Sequence, residues 1–457
     1  NITTKALTVS GITASNKTYD GNTVVTLDLT GTSYSGLVSG DDVSISASGS
    51  FDNKNVGTGK TVNISSSYSG SDVGNYSITD QATTTANITA SVSGITVRGI
   101  TASNKTYDGN NSATLDTSNV SYSGLVEGDD VTGSFSGTFS NANVGSNKTV
   151  NISSSYSGAD VGNYTITDQS TTTGNIIAKA LTATAAASNK TYNGNTTATV
   201  TLSFSGLVGS QTLGQSVTAA FNNKNVGTGK TVTVSAITLS DGSNGGVASN
   251  YSISAGQTTT ANIAAKALTV SGITASNKTY DGNANATTDV SSASYSGLLS
   301  GDNFVVSATG TFDNKNVGTG KTVTISSSYS GSDVSNYSVT NQSSTTANVT
   351  AKALTVSGIT ASDKSYDGST SATLGTSNIL YSGLVSGDSF SGSYSGTFNN
   401  ANVGSGKTVA ISSSYSGDDA SNYSVTDQSN TTASVVKKSL TASASASNKT
   451  YNGNSTA

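Results

Sequence analysis

A chain of 457 residues with 33% apolar residues, 50 glycines and only 10% charged residues can bury several small cores of about 100 residues each, not one large one. It contains no His, Cys, Met, Trp or Pro, which excludes Ser-His-Asp and Cys-His nucleophile systems, imidazole and thiolate metal sites, haem or iron–sulfur ligation, and disulfides. The formal charge of −5, from 21 basic and 26 acidic residues, lacks the clustered Lys and Arg that nucleic acid binding requires.

In chain order, the first residue is Asn1 and no charged, apolar signal segment precedes the first patterned stretch. No apolar run approaches the ~18 residues of a membrane helix, so any membrane tether is expected outside this stretch. Leu7, Val9 and Ile12 open a period-two pattern that continues in Val24, Val25, Leu27 and Leu29, then in Val43 and Ile45, then in Val62 and Ile64. Turn signals separate these runs: Asp20-Gly21-Asn22, Ser39 to Asp42, Asn53 to Gly59, and Ser69 to Asp72. The pattern predicts about seven strands per unit and no helices, an all-β, immunoglobulin-like sandwich. A β-solenoid is the runner-up, but its rungs would repeat at roughly 20–30 residues and no such sub-period is visible.

Internal repetition dominates the remainder. The run around Lys-Thr-Tyr-Asp-Gly-Asn puts tyrosines at Tyr19, Tyr107, Tyr192, Tyr280, Tyr366 and Tyr451, spaced by 88, 85, 88, 86 and 85 residues. An Asn-Tyr element follows in each unit, at Tyr76, Tyr164, Tyr251, Tyr337 and Tyr423. These positions predict the end of a preceding repeat at 1–4 and repeats at 5–91, 92–178, 179–264 (divergent), 265–350 and 351–436, with the start of a sixth at 437–457. Tyr280, Tyr366 and Tyr451 lie 261, 259 and 259 residues after Tyr19, Tyr107 and Tyr192, which implies duplication of a three-repeat block. Between repeats the chain reads, for example, Thr260 to Val270 with no flexible linker. An extended, semi-rigid rod on the order of 200 Å is therefore expected.

Few residues suggest chemistry. Gly57 to Thr61 resembles a phosphate loop, but Lys54 stands where the first glycine is required and a strand follows, so the run is read as a tight hairpin turn. Tyr19-Asp20-Gly21, Tyr107-Asp108-Gly109, Tyr192-Asn193-Gly194, Tyr280-Asp281-Gly282 and Tyr366-Asp367-Gly368 are read as structural turns, since the Asp/Asn exchange keeps backbone capping and loses the charge. Asp41, Asp72, Asp129, Asp160, Asp302, Asp333, Asp388 and Asp419 recur in loops and are weak calcium candidates, with solvated turn residues as the plainer reading. Tyr76 and its equivalents fit a tyrosine-corner role, and Tyr34 and Tyr68 could serve as sugar-stacking platforms. No nucleophile has a base and no carboxylate pair recurs consistently, so the reading is non-enzymatic, with no metal or cofactor assigned.

The string Ala102 to Thr114, followed by Tyr-Ser-Gly-Leu-Val, Asn-Val-Gly-x-x-Lys-Thr-Val and Asn-Tyr-Ser/Thr, resembles the YDG-type and related bacterial Ig-like repeats of large secreted exoproteins. Those are similar to filamentous-haemagglutinin-like adhesins exported by two-partner secretion. The resemblance implies a stalk or biofilm scaffold at the surface of a Gram-negative bacterium, projecting a binding tip. Its implied partners are other domains of the same long chain, with identical chains in a fibre and extracellular polysaccharide as further candidates. Alternative functions are a self-assembling filament or sheath subunit and a carbohydrate-binding repeat array.

Overall fold

The computed structural model describes residues 1–456, and the first repeat shows its plan. Ten strands follow in order: β1 (Lys5–Ser10), β2 (Thr13–Ala14), β3 (Lys17–Thr18), β4 (Val24–Val25), β5 (Leu27–Asp28), β6 (Ser33–Ser35), β7 (Ser44–Phe51), β8 (Gly57–Ser69), β9 (Tyr76–Thr79) and β10 (Thr83–Thr89). A single 3-10 turn, Val73–Asn75, interrupts them. Ten strands stand where about seven are expected because Gly, Asn and Asp cut the first third of the repeat into two-residue pieces.

One sheet runs β6-β1-β9, with β1 antiparallel to β6 and parallel to β9. The other runs β3-β10-β8-β7-β4, and β2 pairs with β5 separately. Alternation sets the faces: on β1, Leu7 and Val9 point inward between exposed neighbours. On β8, Val62 is buried while Thr61 and Asn63 face solvent. The two halves of β8 have different partners. Gly57–Asn63 pairs with β10, and Val62–Ser69 with β7. The same order of sheets recurs in the second, fourth and fifth repeats, and the divergent third has a four-stranded sheet in place of the five-stranded one.

The phosphate-loop-like run is not a hairpin turn. Gly57–Thr61 lies inside β8, where the ladder to β10 slips between Ala86 and Ile88 and Gly59 adopts φ +59°. The turn between β7 and β8 is confined to residues 52–56. Extra residues in a paired strand are accommodated as a bulge, which keeps the strand going.

The cores do not stop at repeat boundaries. Tyr19, Val25, Phe51, Val62 and Ile88 of the first repeat form one buried cluster with Ile95, Val97, Ile100 and Tyr164 of the second. Phe139, Val150 and Ile176 of the second join Leu181 and Tyr251 of the third, and Phe312, Val323 and Val349 of the fourth join Leu354 and Tyr423 of the fifth. Consistently, the chain divides into two compact units within the third repeat. One unit comprises Asn1–Ala186, Thr199–Ala219 and Thr233–Thr259; the other comprises Ala187–Ala198, Ala220–Val232 and the residues from Thr260 on. Residues 437–456 carry no strands.

Candidate functional site: the repeat junction

The Tyr-Asp-Gly turn is built by a lysine. Lys17 Nζ ion-pairs with Asp20 at 2.6 Å and donates to the Asn22 carbonyl and side-chain oxygens and to the Val24 carbonyl at 3.0–3.1 Å. The Asn22 N–H donates to Asp20 Oδ1 at 3.1 Å. In the third repeat Asn193 accepts from Lys190 at 2.8 Å and from the Asn195 N–H, so either side chain serves in this turn. Lys105, Lys278 and Lys364 repeat the arrangement with Asp108, Asp281 and Asp367.

The turn also docks the next repeat. Gly21, at φ +79°, lies against Val126, and a Cβ there would sit 2.7 Å from Val126 Cγ1. Gly109 meets Val208 and Gly282 meets Val385 in the same way, while Gly194 faces Leu299 at 3.3 Å. The tyrosine of the turn packs edge-to-face on the next repeat's Asn-Tyr tyrosine. Tyr19 and Tyr164 have ring centroids 5.4 Å apart, Tyr107 and Tyr251 5.4 Å, Tyr192 and Tyr337 5.6 Å, and Tyr280 and Tyr423 5.6 Å. Tyr366 is left exposed.

The asparagine before that second tyrosine holds the preceding repeat's backbone. Asn163 Oδ1 accepts from the Val56 N–H at 2.9 Å, and its Nδ2 donates to Asn55 Oδ1 at 3.2 Å. Asn250 does the same for Val144 at 2.8 Å, Asn336 for Val226 at 2.9 Å and Asn422 for Val317 at 2.9 Å. All four are buried, whereas Asn75 is exposed.

Most of the recurrent loop aspartates belong to this junction. Lys54 Nζ reaches Asp129 at 2.5 Å and Asp160 at 3.1 Å. Asp129 also accepts from Tyr19 at 2.7 Å and from Tyr164, whose hydroxyl takes the Val126 N–H at 3.0 Å. Its side chain is 1% exposed, so it is not the solvated turn residue that its Ser/Glu-Gly context suggests. Lys224 bridges Asp302 and Asp333 at 3.3 and 3.0 Å, and Lys315 bridges Asp388 and Asp419 at 3.1 and 2.7 Å. Tyr192 and Tyr337 complete the first of these sets, Tyr280 and Tyr423 the second. Asp41 and Asp72 lie together at the head of the first repeat: Asp41 accepts from Tyr76 at 2.5 Å, and Asp72 from the Asp42 N–H at 2.9 Å. Among the described residues no group of three or more acidic side chains converges on a metal position.

The electrostatics follow the geometry. Burial raises the Asp129 carboxyl, but hydrogen bonds from Lys54, Tyr164 and Tyr19 overcome it and hold the group below its ordinary value. Asp388 behaves alike with Tyr423, Tyr280 and Lys315. The Asn303 N–H and Lys224 bring Asp333 down to about 2. Burial and the Asp129 hydrogen bond push Tyr164 up to about 12, and Lys54 is raised chiefly by its bond to Asp129.

The junction between the second and third repeats lacks the bridging lysine and its aspartate. Ala142 stands in place of Lys54, and Gln211 in place of Asp129. Gln211 donates to Tyr107 at 2.9 Å and accepts from Tyr251 at 2.5 Å. Reading motifs repeat by repeat misses the lysines and asparagines of these junctions. The signal lies between neighbours: Lys54, Ala142, Lys224 and Lys315 alternate with Asp129, Gln211, Asp302 and Asp388 of the following repeat.

Of the remaining tyrosines, Tyr76 fits the corner role, accepting the Val38 N–H at 3.0 Å. Tyr34 and Tyr68 are half-buried, and Tyr68 donates to Asp80.

A family model described as YDG domain matches residues 3–86, 92–173, 177–261, 264–347 and 350–432. No curated protein matches. Among solved structures, Drosophila N-cadherin is similar at 10% identity and TM-score 0.19, covering 74% of this chain and 99% of that one. A tandem from titin is similar at 11% identity and TM-score 0.16, covering 56% of this chain and 100% of that one. Surface layer protein SbsC, domains 4–9, is similar at 11% identity and TM-score 0.16, covering 91% and 82%.

Proposed function

The chain belongs to the YDG domain family, in five tandem copies, and from that premise we propose that it is a non-enzymatic stalk or scaffold segment of a bacterial extracellular adhesin or biofilm matrix protein, holding a binding tip away from the cell. The observation that carries this reading is the junction. One residue, Ala90, separates the last strand of the first repeat from the first strand of the second, and Ala178, Ala265 and Ala351 do so further on. Each connection is braced by a tyrosine pair and an asparagine clamp. So short and so braced a connection resists bending, which is what a structure that acts by reach requires.

The test is made on cells displaying the parent protein. Deleting the five repeats should abolish adhesion, and replacing them with an equally long array of unrelated sandwich domains should restore it. If the purified 457-residue chain by itself blocks adhesion, the repeats bind and the stalk reading falls. A self-assembling filament or sheath subunit is the second reading. It is favoured by the outward row of Ser44, Ser46, Ser65, Ser67 and Ser69 on β7 and β8, which carries no charge to oppose lateral packing. Ordered fibres of the purified chain under electron microscopy would put that reading first. A carbohydrate-binding array has less behind it, because every tyrosine except Tyr366 and Tyr451 is buried or half-buried.

A further inference from the structure

Each repeat has a foot, made of the Tyr-Asp/Asn-Gly turn and the Asn-x-Asn-Val loop, and a head, made of the Ser/Glu-Gly-Asp loop and the Asn-Tyr element. The variable foot residue is Lys54, Ala142, Lys224, Lys315 or Ala401. The head carries an aspartate pair in the second, fourth and fifth repeats. In the third it carries Gln211, and Val247 takes the place that Asp160, Asp333 and Asp419 hold before the 3-10 turn. All four junctions are matched. Three lysine feet meet acidic heads with Nζ–O distances of 2.5–3.3 Å, and the one alanine foot meets the glutamine head.

We propose that this matching is a pairing code that decides which repeat end docks on which. The tyrosine pair and the asparagine clamp are common to all four junctions, so they cannot discriminate. The lysine position can. An alanine foot on an acidic head leaves two carboxylates, 1% and 8% exposed at Asp129 and Asp160, without their cation. A lysine foot on a glutamine head leaves an ammonium that is about a third exposed at Lys54, Lys224 and Lys315 without the carboxylate pair that Asp129 and Asp160 supply. The first mismatch strands desolvated carboxylates, the costly way to break an ion pair, and the second denies the lysine its partners.

The code assigns partners to the two faces that no folded repeat covers here. The head of the first repeat, with Asp41, Asp72 and Tyr76, takes a lysine foot. The foot of the fifth, with exposed Tyr366 beside Ala401, takes a glutamine head. These two faces do not match each other, so copies of this chain do not join head to foot through them. The inference is independent of what the array projects.

The test is hydrogen exchange on the full chain, read at the Val144 amide that Asn250 holds, with the Val317 amide as an unchanged internal control. Ala142→Lys and Gln211→Asp should each raise exchange at Val144 by about tenfold or more, and the double variant, completed by Val247→Asp, should bring it back. At the first junction, Lys54→Ala should raise exchange at Val56 by a similar factor, and a further Asp129→Gln with Asp160→Val should reverse it. Single variants without effect, or combined variants whose effects simply add, overturn the code.

Discussion

Gly21 carries two constraints, and they can be separated. Its φ of +79° is left-handed, and its missing Cβ leaves room for Val126. Gly368 shares the conformation, at φ +86°, but has nothing within 4 Å of its Cβ position. Ala at either site incurs left-handed strain of roughly 1–2 kcal/mol. Only at Gly21 must a stiff β-branched neighbour give way as well. Gly21→Ala should therefore raise hydrogen exchange at the Val56 amide, while Gly368→Ala leaves every junction amide unchanged. Equal behaviour of the two variants would mean that the glycine serves the turn alone. The motif was legible in the sequence as a turn; the docking half was not, because Val126 lies 105 positions away and its approach depends on how the whole repeat folds.

At the scale of an element, the exit from β1 is held by one side chain that no motif signalled. Gln81 accepts the Ile12 N–H at 2.9 Å and donates to the Ile12 carbonyl at 2.7 Å. Gln169, Gln342 and Gln428 do the same for Ile100, Ile273 and Ile359. In the third repeat Gln215 serves Leu202 from a different strand. Ile12 is 1% exposed, so removing the amide strands backbone groups that water reaches poorly. Gln81→Ala should cost about 1–3 kcal/mol, seen as faster exchange of the Ile12 amide, with Gln81→Glu losing the donated bond but keeping the accepted one. Unchanged exchange in the alanine variant would show that water replaces the amide. The strand pattern around this clamp was legible because alternation is local. The subdivision into ten strands was not, since two-residue strands have no period to detect.

At the scale of the molecule, the junctions differ in their response to pH. Asp129, Asp333, Asp388 and Asp419 are all held below the ordinary carboxylate value. A depressed carboxyl stabilises the fold above its unfolded value near 3.9, and that contribution is lost as pH falls through the lowered value, about 2 for Asp333. The raised tyrosines and lysines act oppositely: their contribution is full below about pH 10 and fades as pH climbs further. At the junction of Tyr107, Gln211 and Tyr251 a neutral amide takes the place of the carboxylate between the tyrosines. As pH falls below about 4 the amides of Val56, Val226 and Val317 should lose more protection than that of Val144, whose turn carries Asp108 but whose tyrosines meet Gln211. Parallel loss at all four would refute a carboxylate origin.

The sequence alone determined the period near 87 residues, the all-β character, the duplicated three-repeat block and the Asp/Asn-tolerant turn. All of these are written in local patterns and in their recurrence. Only the tertiary structure decided that the turn and the recurrent aspartates meet across a boundary. A period says that Asp129 repeats Asp41; it cannot say whether either faces its own repeat or the one before it. That depends on the direction in which Thr89 hands the chain to Ser91, and on the burial that brings Lys54, Tyr19 and Tyr164 around one carboxylate. The contacts that cross the boundary to this carboxylate span 75 and 110 residues, so they are set by packing and leave no trace in local spacing.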